Sequence, residues 1–264
     1  MTGENLGEKR FLTYDEQITF LEKEKGLIIS NKEYAKKILL KIGYFPLING
    51  YKEIFKEPIN NQFQKGTSFE DIYELYDFDN DLRNIFIKYI LLAERNIKSS
   101  LSYHFCKEYG DLQSDYLNVN NYDYTGKKKS VIDKMVKIMS GQLRYDSDYI
   151  YIRHYMTTYH YVPLWVLMNV LTIGQLSKIY ASQKGRIQIP KEKGRYTYGK
   201  NDLYAQVIIL KLLLSTEDFH KFFHDLKMCF KKHSIHKEIL GKMGFPENWQ
   251  RIGRIKNYIK SEIL

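Results

Sequence analysis

An arginine and a histidine, Arg153 and His160, stand in the stretch "RHYMTTYH" with six residues between them. An imidazole can move the proton of a ribose 2′-hydroxyl, and a guanidinium can stabilise the charged phosphorane that follows. The spacing itself is not evidence, because nine arginines and seven histidines in 264 residues give about 0.7 such matches by chance. Arg153 and His160 are therefore only candidates for a catalytic pair, and the sequence alone assigns no catalytic residue.

Two other sets of residues fail as chemical sites. Arg95 and His104 are nine residues apart on one predicted helix, so their side chains point in opposite directions. His220 and His224 in "HKFFH" share a helix face, but Lys221 stands where a metalloprotease has its glutamate. Cys106 and Cys229 are far apart in the chain and give no disulfide framework. The sequence predicts neither a metal nor a cofactor.

Two basic tracts, "GKKKS" at 126–130 and "KGRIQIPKEKGRYTYGK" at 184–200, favour contact with a polyanion. The chain has 41 basic and 31 acidic residues, a net charge of +10 and a pI near 9.2. Lysine can contact phosphate, and aromatic residues can stack on unpaired bases. This combination suits RNA. A solvated loop in a lysine-rich protein is the alternative. The candidate RNA-binding residues are Lys127, Lys128, Lys129, Lys184, Arg186, Lys191, Lys193, Arg195, Tyr196, Tyr198 and Lys200.

The elements that must carry these residues are helices, which makes the predicted fold class all-α. Apolar residues recur at steps of three and four, and the chain contains only five prolines. We expect the longest helix from about Asn80 to Tyr109, ended by Gly110, and another helix over 163–180. Thr13, Asn31 and Ser215 are the predicted N-caps of three other helices. Residues 1–60 are predicted to form an N-terminal helical subdomain, and residues 69–264 a helical core with a short basic loop at 181–200.

No segment of the sequence looks like a targeting or membrane element. The first residues lack the apolar stretch of a signal peptide, and the longest apolar run, "VPLWVLMNVL", is shorter than the roughly 20 residues that span a bilayer. We expect a cytoplasmic protein without a membrane partner.

Five blocks of the chain, taken in order, resemble one bacterial family. The blocks are "LTYDEQITFLEKEKGLIISNKEYAKKILLKIGYFPLINGYKEIF", "LLAERNIKSSLSYHFCKEYG", "HYMTTYHYVPLWVLMNVLTIGQLSKIY", "GKNDLYAQVIILKLLL" and "MGFPENW". Together they are similar to the Abi-like (abortive infection, AbiD/AbiF-type) proteins over nearly the whole chain.

The resemblance implies a HEPN-like helical bundle in a cytoplasmic phage-defence protein. The family's parent activity would be that of a toxin that cleaves RNA without a metal. Some relatives are thought to be held in check by a small structured non-coding RNA, which makes structured RNA the expected partner. HEPN proteins often pair two half-sites across an interface, so the resemblance also implies a homodimer.

The catalytic signature that the resemblance implies is absent from this sequence. An Arg-Asn-x-x-x-His helix should lie between "LTIGQLSKIY" and "GKNDLYA", where the chain has only "ASQKGRIQIPKEKGRYTY". Three explanations stay open: the segment was removed by design, was lost naturally, or was left out of the sequence because it is not ordered. We therefore expect an RNA-binding chain that is inactive or incomplete as a nuclease. The alternative is a non-enzymatic helical interaction protein that senses a phage component.

Overall fold

A computed structural model describes residues 11–58, 62–184, 203–233 and 237–254. Within these ranges there is no β-strand, only three isolated bridges, and the all-α prediction is confirmed. The helices, in chain order, are α1 (Tyr14–Lys23), α2 (Lys32–Ile42), α3 (Gly50–Phe55), α4 (Phe69–Tyr109), α5 (Gln113–Tyr116), α6 (Lys128–Gln142), α7 (Ile150–Tyr159), α8 (Leu164–Leu167), α9 (Ile173–Ala181), α10 (Leu203–Leu213), α11 (Thr216–Lys232) and α12 (Lys237–Lys242). None of them combines the length and the hydrophobicity that a membrane span requires.

Short polar side chains start several of these helices where the sequence predicts. Thr13 and Glu16 form a reciprocal capping box at the start of α1. Asn31 Oδ1 accepts the backbone N–H of Tyr34 at 2.9 Å at the start of α2. Ser215 Oγ accepts the backbone N–H of Asp218 at 3.1 Å before α11. Each cap satisfies a backbone N–H group that has no partner inside its helix.

The longest helix, α4, starts at Phe69 and not near Asn80 as expected. Ser68 and Asp71 cap it reciprocally, since Ser68 N–H donates to Asp71 Oδ2 and Asp71 N–H donates to Ser68 Oγ. Phe69 and Ile72 in its first turn are fully buried, which holds these residues in the helix. The helix ends as predicted at Gly110, whose φ of 101° is readily adopted only by glycine.

The predicted helix over 163–180 is interrupted. A 3-10 turn at Met168–Val170 follows α8, and α9 starts only after Thr172. Thr172 Oγ1 accepts the N–H of Gln175, and Gln175 Oε1 accepts the N–H of Thr172. This third capping box, T-I-G-Q, ends the helical run at Val170 and starts a new helix, because its local hydrogen bonds compete with continuation of the helix.

The chain divides into two compact units, and each has its own core. The first unit is Met1–Ile85 with Met228–Ser234, and the second is Phe86–Lys227 with Ile235–Leu264. The subdomain boundary between residues 60 and 69 stays a prediction. In the first unit α1 and α2 pack on the start of α4, with a core of Ile18, Leu21, Leu27, Ile29, Ala35, Ile38, Leu39, Leu47, Ile48, Phe63, Phe69 and Ile72.

The second unit is built around α6, α8 and α9. Its core also takes in the second half of α4, the segment after it and α7. The fully buried members lie mainly on α6 and around α8, and include Ile132, Met139, Ile152, Val162, Leu164, Leu167 and Met168. A sizeable apolar core of this kind supplies the main favourable free energy of folding.

An ionic anchor holds the end of α11 in the first unit. Asp81 Oδ2 accepts hydrogen bonds from Lys232 Nζ at 2.6 Å and from His233 Nε2 at 2.9 Å. The His233 ring is buried and packs edge-on against Phe78. The hydrogen bonds from Lys232 and His233 lower the pKa of Asp81 below its usual range.

This anchor predicts a pH-dependent contribution to stability. Because the pKa of Asp81 is lower in the folded state, its contribution is present above about pH 4, the unfolded value, and is lost as the pH falls through the folded pKa. We expect Asp81→Asn to lower the free energy of unfolding by about 1 kcal/mol at pH 7, since the carboxylate is partly screened by solvent. Urea unfolding at pH 7 and at low pH measures the difference.

The matched control is Asp146→Asn, which removes a carboxylate that is 81% exposed. It should leave stability unchanged within error. An Asp81→Asn protein that is as stable as the parent at pH 7, or whose deficit is the same at low pH, would contradict the anchor.

Candidate nucleic-acid interface

Two buried tyrosines fix the segment that carries the first basic tract. The Tyr116 hydroxyl donates to the Val162 carbonyl at 2.7 Å, and the Tyr122 hydroxyl donates to the Tyr116 carbonyl at 2.7 Å. Both rings are almost completely buried, and this burial raises the pKa of both hydroxyls. Gln113 Oε1 also accepts the N–H of Val162 at 2.9 Å. The segment between α4 and α6 is therefore anchored in the core of the second unit.

The structure brings the beginnings of the two basic tracts together. Tyr122 and Gln183 form an isolated antiparallel bridge, and the Asp123 N–H donates to the Ser182 carbonyl at 2.8 Å. Lys184 Nζ donates to the Asn120 carbonyl. Lys184 thus lies beside the turn that carries the three predicted lysines Lys127, Lys128 and Lys129. The other predicted RNA-binding residues, Arg186, Lys191, Lys193, Arg195, Tyr196, Tyr198 and Lys200, lie outside the described residues.

Helix α6 continues the positive charge away from this turn. Lys128 Nζ lies 2.5 Å from Asp123 Oδ2, and Lys129 Nζ lies 5.4 Å from the centre of the Tyr124 ring. The exposed Lys134 and Lys137 follow on the same helix, whose buried side is formed by Ile132, Met135 and Met139. The first turn of α6 contains no acidic residue, although the N-terminus of a helix favours negative charge.

A groove between α6 and α9 lies along this charge. It has a volume of about 160 Å³, and Lys134 from α6 and Lys178 from α9 stand at it over an apolar floor that includes Met135, Met139 and Ile179. Sequence reasoning missed Lys134, Lys137 and Lys178. The signal for the first two was present, since the helical period puts both opposite the buried side of α6.

The charge of this surface is largely uncompensated. Residues 122–142 and 171–184 contain seven exposed lysines, Lys127, Lys128, Lys129, Lys134, Lys137, Lys178 and Lys184, but only two acids, Asp123 and Asp133. Hydrogen bonds from Lys128 and Thr125 lower the pKa of Asp123, and Asp133 accepts from the Tyr124 hydroxyl at 2.9 Å. Among the described residues, no carboxylate lies within ion-pair distance of Lys127, Lys134, Lys137 or Lys178. We call the surface formed by these seven lysines the basic face.

The catalytic candidates Arg153 and His160 are not brought together. Arg153 Nη1 donates to the Ser147 carbonyl at 2.5 Å, before the start of α7. His160 is exposed at the other end of the same helix, where it adopts a left-handed φ of 61°. Seven residues of helix separate their backbones by about 10 Å along the axis. Their assignment as a catalytic pair stays a prediction without a supporting contact.

One cluster within the described ranges has the composition of a metal site. Ligand atoms of Asp81, Cys229 and His233 lie within 4.8 Å of one another. However, the Asp81 carboxylate already binds the Lys232 ammonium, and burial raises the pKa of the Cys229 thiol to about 11. A cation would have to displace the ammonium and deprotonate the thiol, so we assign this cluster to the ionic anchor. His220 and His224 are exposed on α11, as expected for a solvated face.

Comparison with protein families gives one match. The model of the family described as Abi-like protein matches residues 37–227, which is 191 of the 264 residues. The matched range includes all seven lysines of the basic face and the tyrosines that support it. Comparison with curated proteins and with solved structures finds no match.

Because the Tyr122 hydroxyl makes a buried hydrogen bond, its removal should measurably lower the free energy of unfolding. Tyr122→Phe leaves the Tyr116 carbonyl without this donor, and we expect the free energy of unfolding to fall by about 1–2 kcal/mol. Urea unfolding followed by circular dichroism is the measurement. Tyr145→Phe, at a side chain that is 56% exposed, should have no effect. Equal stability of the Tyr122→Phe and parent proteins would show that the buried bond contributes nothing.

The separation of Arg153 from His160 predicts that neither is needed for chemistry. We expect labelled RNA to remain intact when incubated with the chain in EDTA, and His160→Ala and Arg153→Ala to change nothing. Denaturing gels of the RNA give the readout. Cleavage by the parent chain that both substitutions abolish would establish the pair as catalytic.

Proposed function

Because the chain belongs to the Abi-like family, we propose that it acts in abortive infection, the bacterial defence against phage, by binding structured RNA through the basic face. The family membership carries the defence role. The RNA partner rests on the basic face and on the overall charge of +10.

The observation that carries this proposal is the uncompensated charge at the groove between α6 and α9. Six of the seven lysines of the basic face, all but Lys128, have no carboxylate within ion-pair distance among the described residues, although a protein surface normally mixes both signs of charge. Keeping like charges close together is unfavourable unless a polyanion binds there. Release of counterions from a phosphate chain gives such binding most of its free energy.

The chemistry of the basic face favours recognition of RNA shape over recognition of sequence. Lysine is a point charge that contacts phosphate without distinguishing bases. The groove is lined by lysine and apolar side chains, with Gln175 as its amide. Tyr124, partly exposed beside Lys129, offers a ring for an unpaired base at the edge of the face. A folded RNA presents closely spaced phosphates of several strands, which suits the convergence of residues from two distant tracts.

We assign no catalytic residue to this proposal. The HEPN-like parentage, the ribonuclease activity, the small non-coding antitoxin RNA and the homodimer remain parts of the proposal that come from the family resemblance. A chain that binds RNA without cutting it is consistent with the absence of the Arg-Asn-x-x-x-His signature from the sequence.

A second candidate is a helical interaction protein that senses a phage component. The observation in its favour is a group of exposed large side chains on and around α7, namely Tyr145, Tyr149, Ile150, Tyr159 and Trp165. Exposed aromatic side chains of this kind are common at protein interfaces. If this candidate is correct, RNA will not bind above background, and replacement of the basic face will leave phage resistance unchanged.

The basic face predicts a specific salt dependence. We expect the triple variant Lys134→Ala, Lys137→Ala and Lys178→Ala to bind a folded RNA at least tenfold more weakly at low salt. Each lost phosphate contact should also flatten the plot of log affinity against log salt by about one, so the slope should change by two to three. Fluorescence anisotropy at several salt concentrations measures both quantities.

The control carries the same loss of charge at another place. Lys37, Lys41 and Lys65 are exposed lysines of the first unit, and their triple alanine variant should bind almost as the parent does. If both triple variants weaken RNA binding equally, the effect comes from the loss of net charge alone. This outcome would contradict a localised interface.

A further inference from the structure

A cleft in the first unit has a size and a lining that neither the fold nor the proposed RNA interface explains. Its volume is about 710 Å³, which is within the range of small-molecule sites. Its walls come from α1, from the turn around Phe45–Asn49, from α3 and from residues 62–63. The lining residues include Gln17, Phe20, Lys25, Phe45, Lys52 and Phe63.

The cleft is held in shape by backbone hydrogen bonds. The Phe63 N–H donates to the Lys25 carbonyl at 2.9 Å, and the Gln64 N–H donates to the Phe55 carbonyl at 2.8 Å. On the opposite wall, the backbone from Phe45 to Asn49 forms a π-helical turn, a conformation that is rare and often found at functional sites. The cleft is therefore part of the folded unit and does not depend on a ligand to form.

The wall of the cleft is aromatic. Phe20 is partly buried, Phe63 is only 8% exposed, and Phe45 is 76% exposed at the mouth. Covering the exposed apolar surface of Phe45 with a ligand would be favourable, because that surface would leave water. Of the three rings, Phe45 offers the accessible flat face for a planar ligand.

Three lysines add positive charge to the same cleft. Lys25, Lys52 and Lys56 are all partly buried, whereas lysines are mostly exposed. Lys52 Nζ donates to Asn49 Oδ1 at 2.8 Å, and Lys25 Nζ lies 5.4 Å from the centre of the Phe20 ring. Within the part of the chain that the structure describes, no carboxylate lies at ion-pair distance from Lys25 or Lys52. Lys56 Nζ lies 3.9 Å from Glu53 Oε1, so Lys25 and Lys52 are the lysines available to bind an anion in the cleft.

Gln17 belongs to the wall of the cleft and does not supply a contact for a ligand. Its Nε2 donates to the Leu12 carbonyl at 2.8 Å, which fixes the orientation of the side-chain amide. The other amide atom, Gln17 Oε1, is buried below the surface of the cleft and accepts no hydrogen bond from the described residues.

From these features together, we propose that the cleft binds a nucleotide unit, with its base against Phe45 and its phosphate at Lys25 and Lys52. A fatty acid would suit the apolar walls and the lysines but has no planar face for the ring of Phe45. A sugar phosphate has an anionic group but no planar apolar face. A nucleotide combines an aromatic face with a phosphate, and its size suits a cleft of about 710 Å³.

The same nucleotide chemistry is available from a free mononucleotide and from an end or an unpaired position of RNA. The proposal stands without the RNA interface on the basic face, because the cleft lies in the other compact unit. The test therefore uses the Lys134, Lys137 and Lys178 triple variant as a background for RNA probes. Failure of the RNA interface and failure of the cleft then give different results.

Isothermal titration calorimetry of the full chain with AMP, GMP, CMP and UMP is the primary experiment. We expect at least one of them to bind with a Kd below about 1 mM, and inorganic phosphate and the matching nucleoside to bind at least fivefold more weakly. A 5′-phosphorylated tetraribonucleotide, titrated into the triple-variant background, forms the RNA arm. Binding of the mononucleotide identifies the free molecule as the ligand, and binding of the tetranucleotide alone identifies RNA.

Two variants locate the site. Phe45→Ala changes an exposed side chain and should weaken nucleotide and nucleoside alike by about tenfold. Lys52→Met should weaken the nucleotide but not the nucleoside. Lys41→Met is the matched control and should have no effect. The proposal is overturned if no mononucleotide or tetranucleotide binds, if phosphate binds as tightly as the nucleotide, or if Phe45→Ala and Lys52→Met leave the affinity unchanged.

Discussion

The hydroxyl of Tyr116, buried and bonded to the Val162 carbonyl, is the contact on which the arrangement of the basic face depends. A buried carbonyl without a donor is costly, so this pair determines where the segment after α4 runs over the core. Tyr122 then bonds to Tyr116, and the next residue, Asp123, pairs its backbone with Ser182. The apolar core and the buried hydrogen bonds of Tyr116 and Tyr122 therefore determine where the lysines of the two distant tracts meet.

The basic face shows a balance between folding and binding. The lysines repel one another, and the two acids near them are already engaged by Lys128, Thr125 and Tyr124. The core of the second unit must therefore offset this repulsion in the free protein. A bound polyanion would relieve it, and this difference between the free and the bound state is the physical basis of the proposed RNA interaction. The cleft of the first unit uses another principle, since the exposed ring of Phe45 and two lysines without a carboxylate partner favour a planar anion.

Local rules explain which helical boundaries could be read from the sequence. The caps at Thr13, Asn31 and Ser215 depend on neighbouring residues only, and all three were predicted. Ser68 and Thr172 belong to capping boxes of the same kind, but neither was predicted. Thr172 stands between two stretches that each have a helical pattern, so the periodic signal hid the local one and the break before α9 was missed. Ser68 follows a polar stretch, and the predicted start of α4 near Asn80 passed over this local signal.

By itself the sequence determined the all-α class, the family membership and the surplus of positive charge. It also marked Lys127, Lys128 and Lys129 as candidate RNA-binding residues. These follow from periodicity, composition and ordered blocks, which are properties of neighbouring residues. Only the tertiary structure decided that Lys184 lies beside those lysines, that Lys178 faces Lys134 across a groove, and that Arg153 and His160 remain at opposite ends of α7. It also placed Gln17, Lys25 and Lys52 around one cleft. Such meetings depend on how helices pack, and packing is set by contacts between residues that are distant in the chain, which no short stretch of sequence contains.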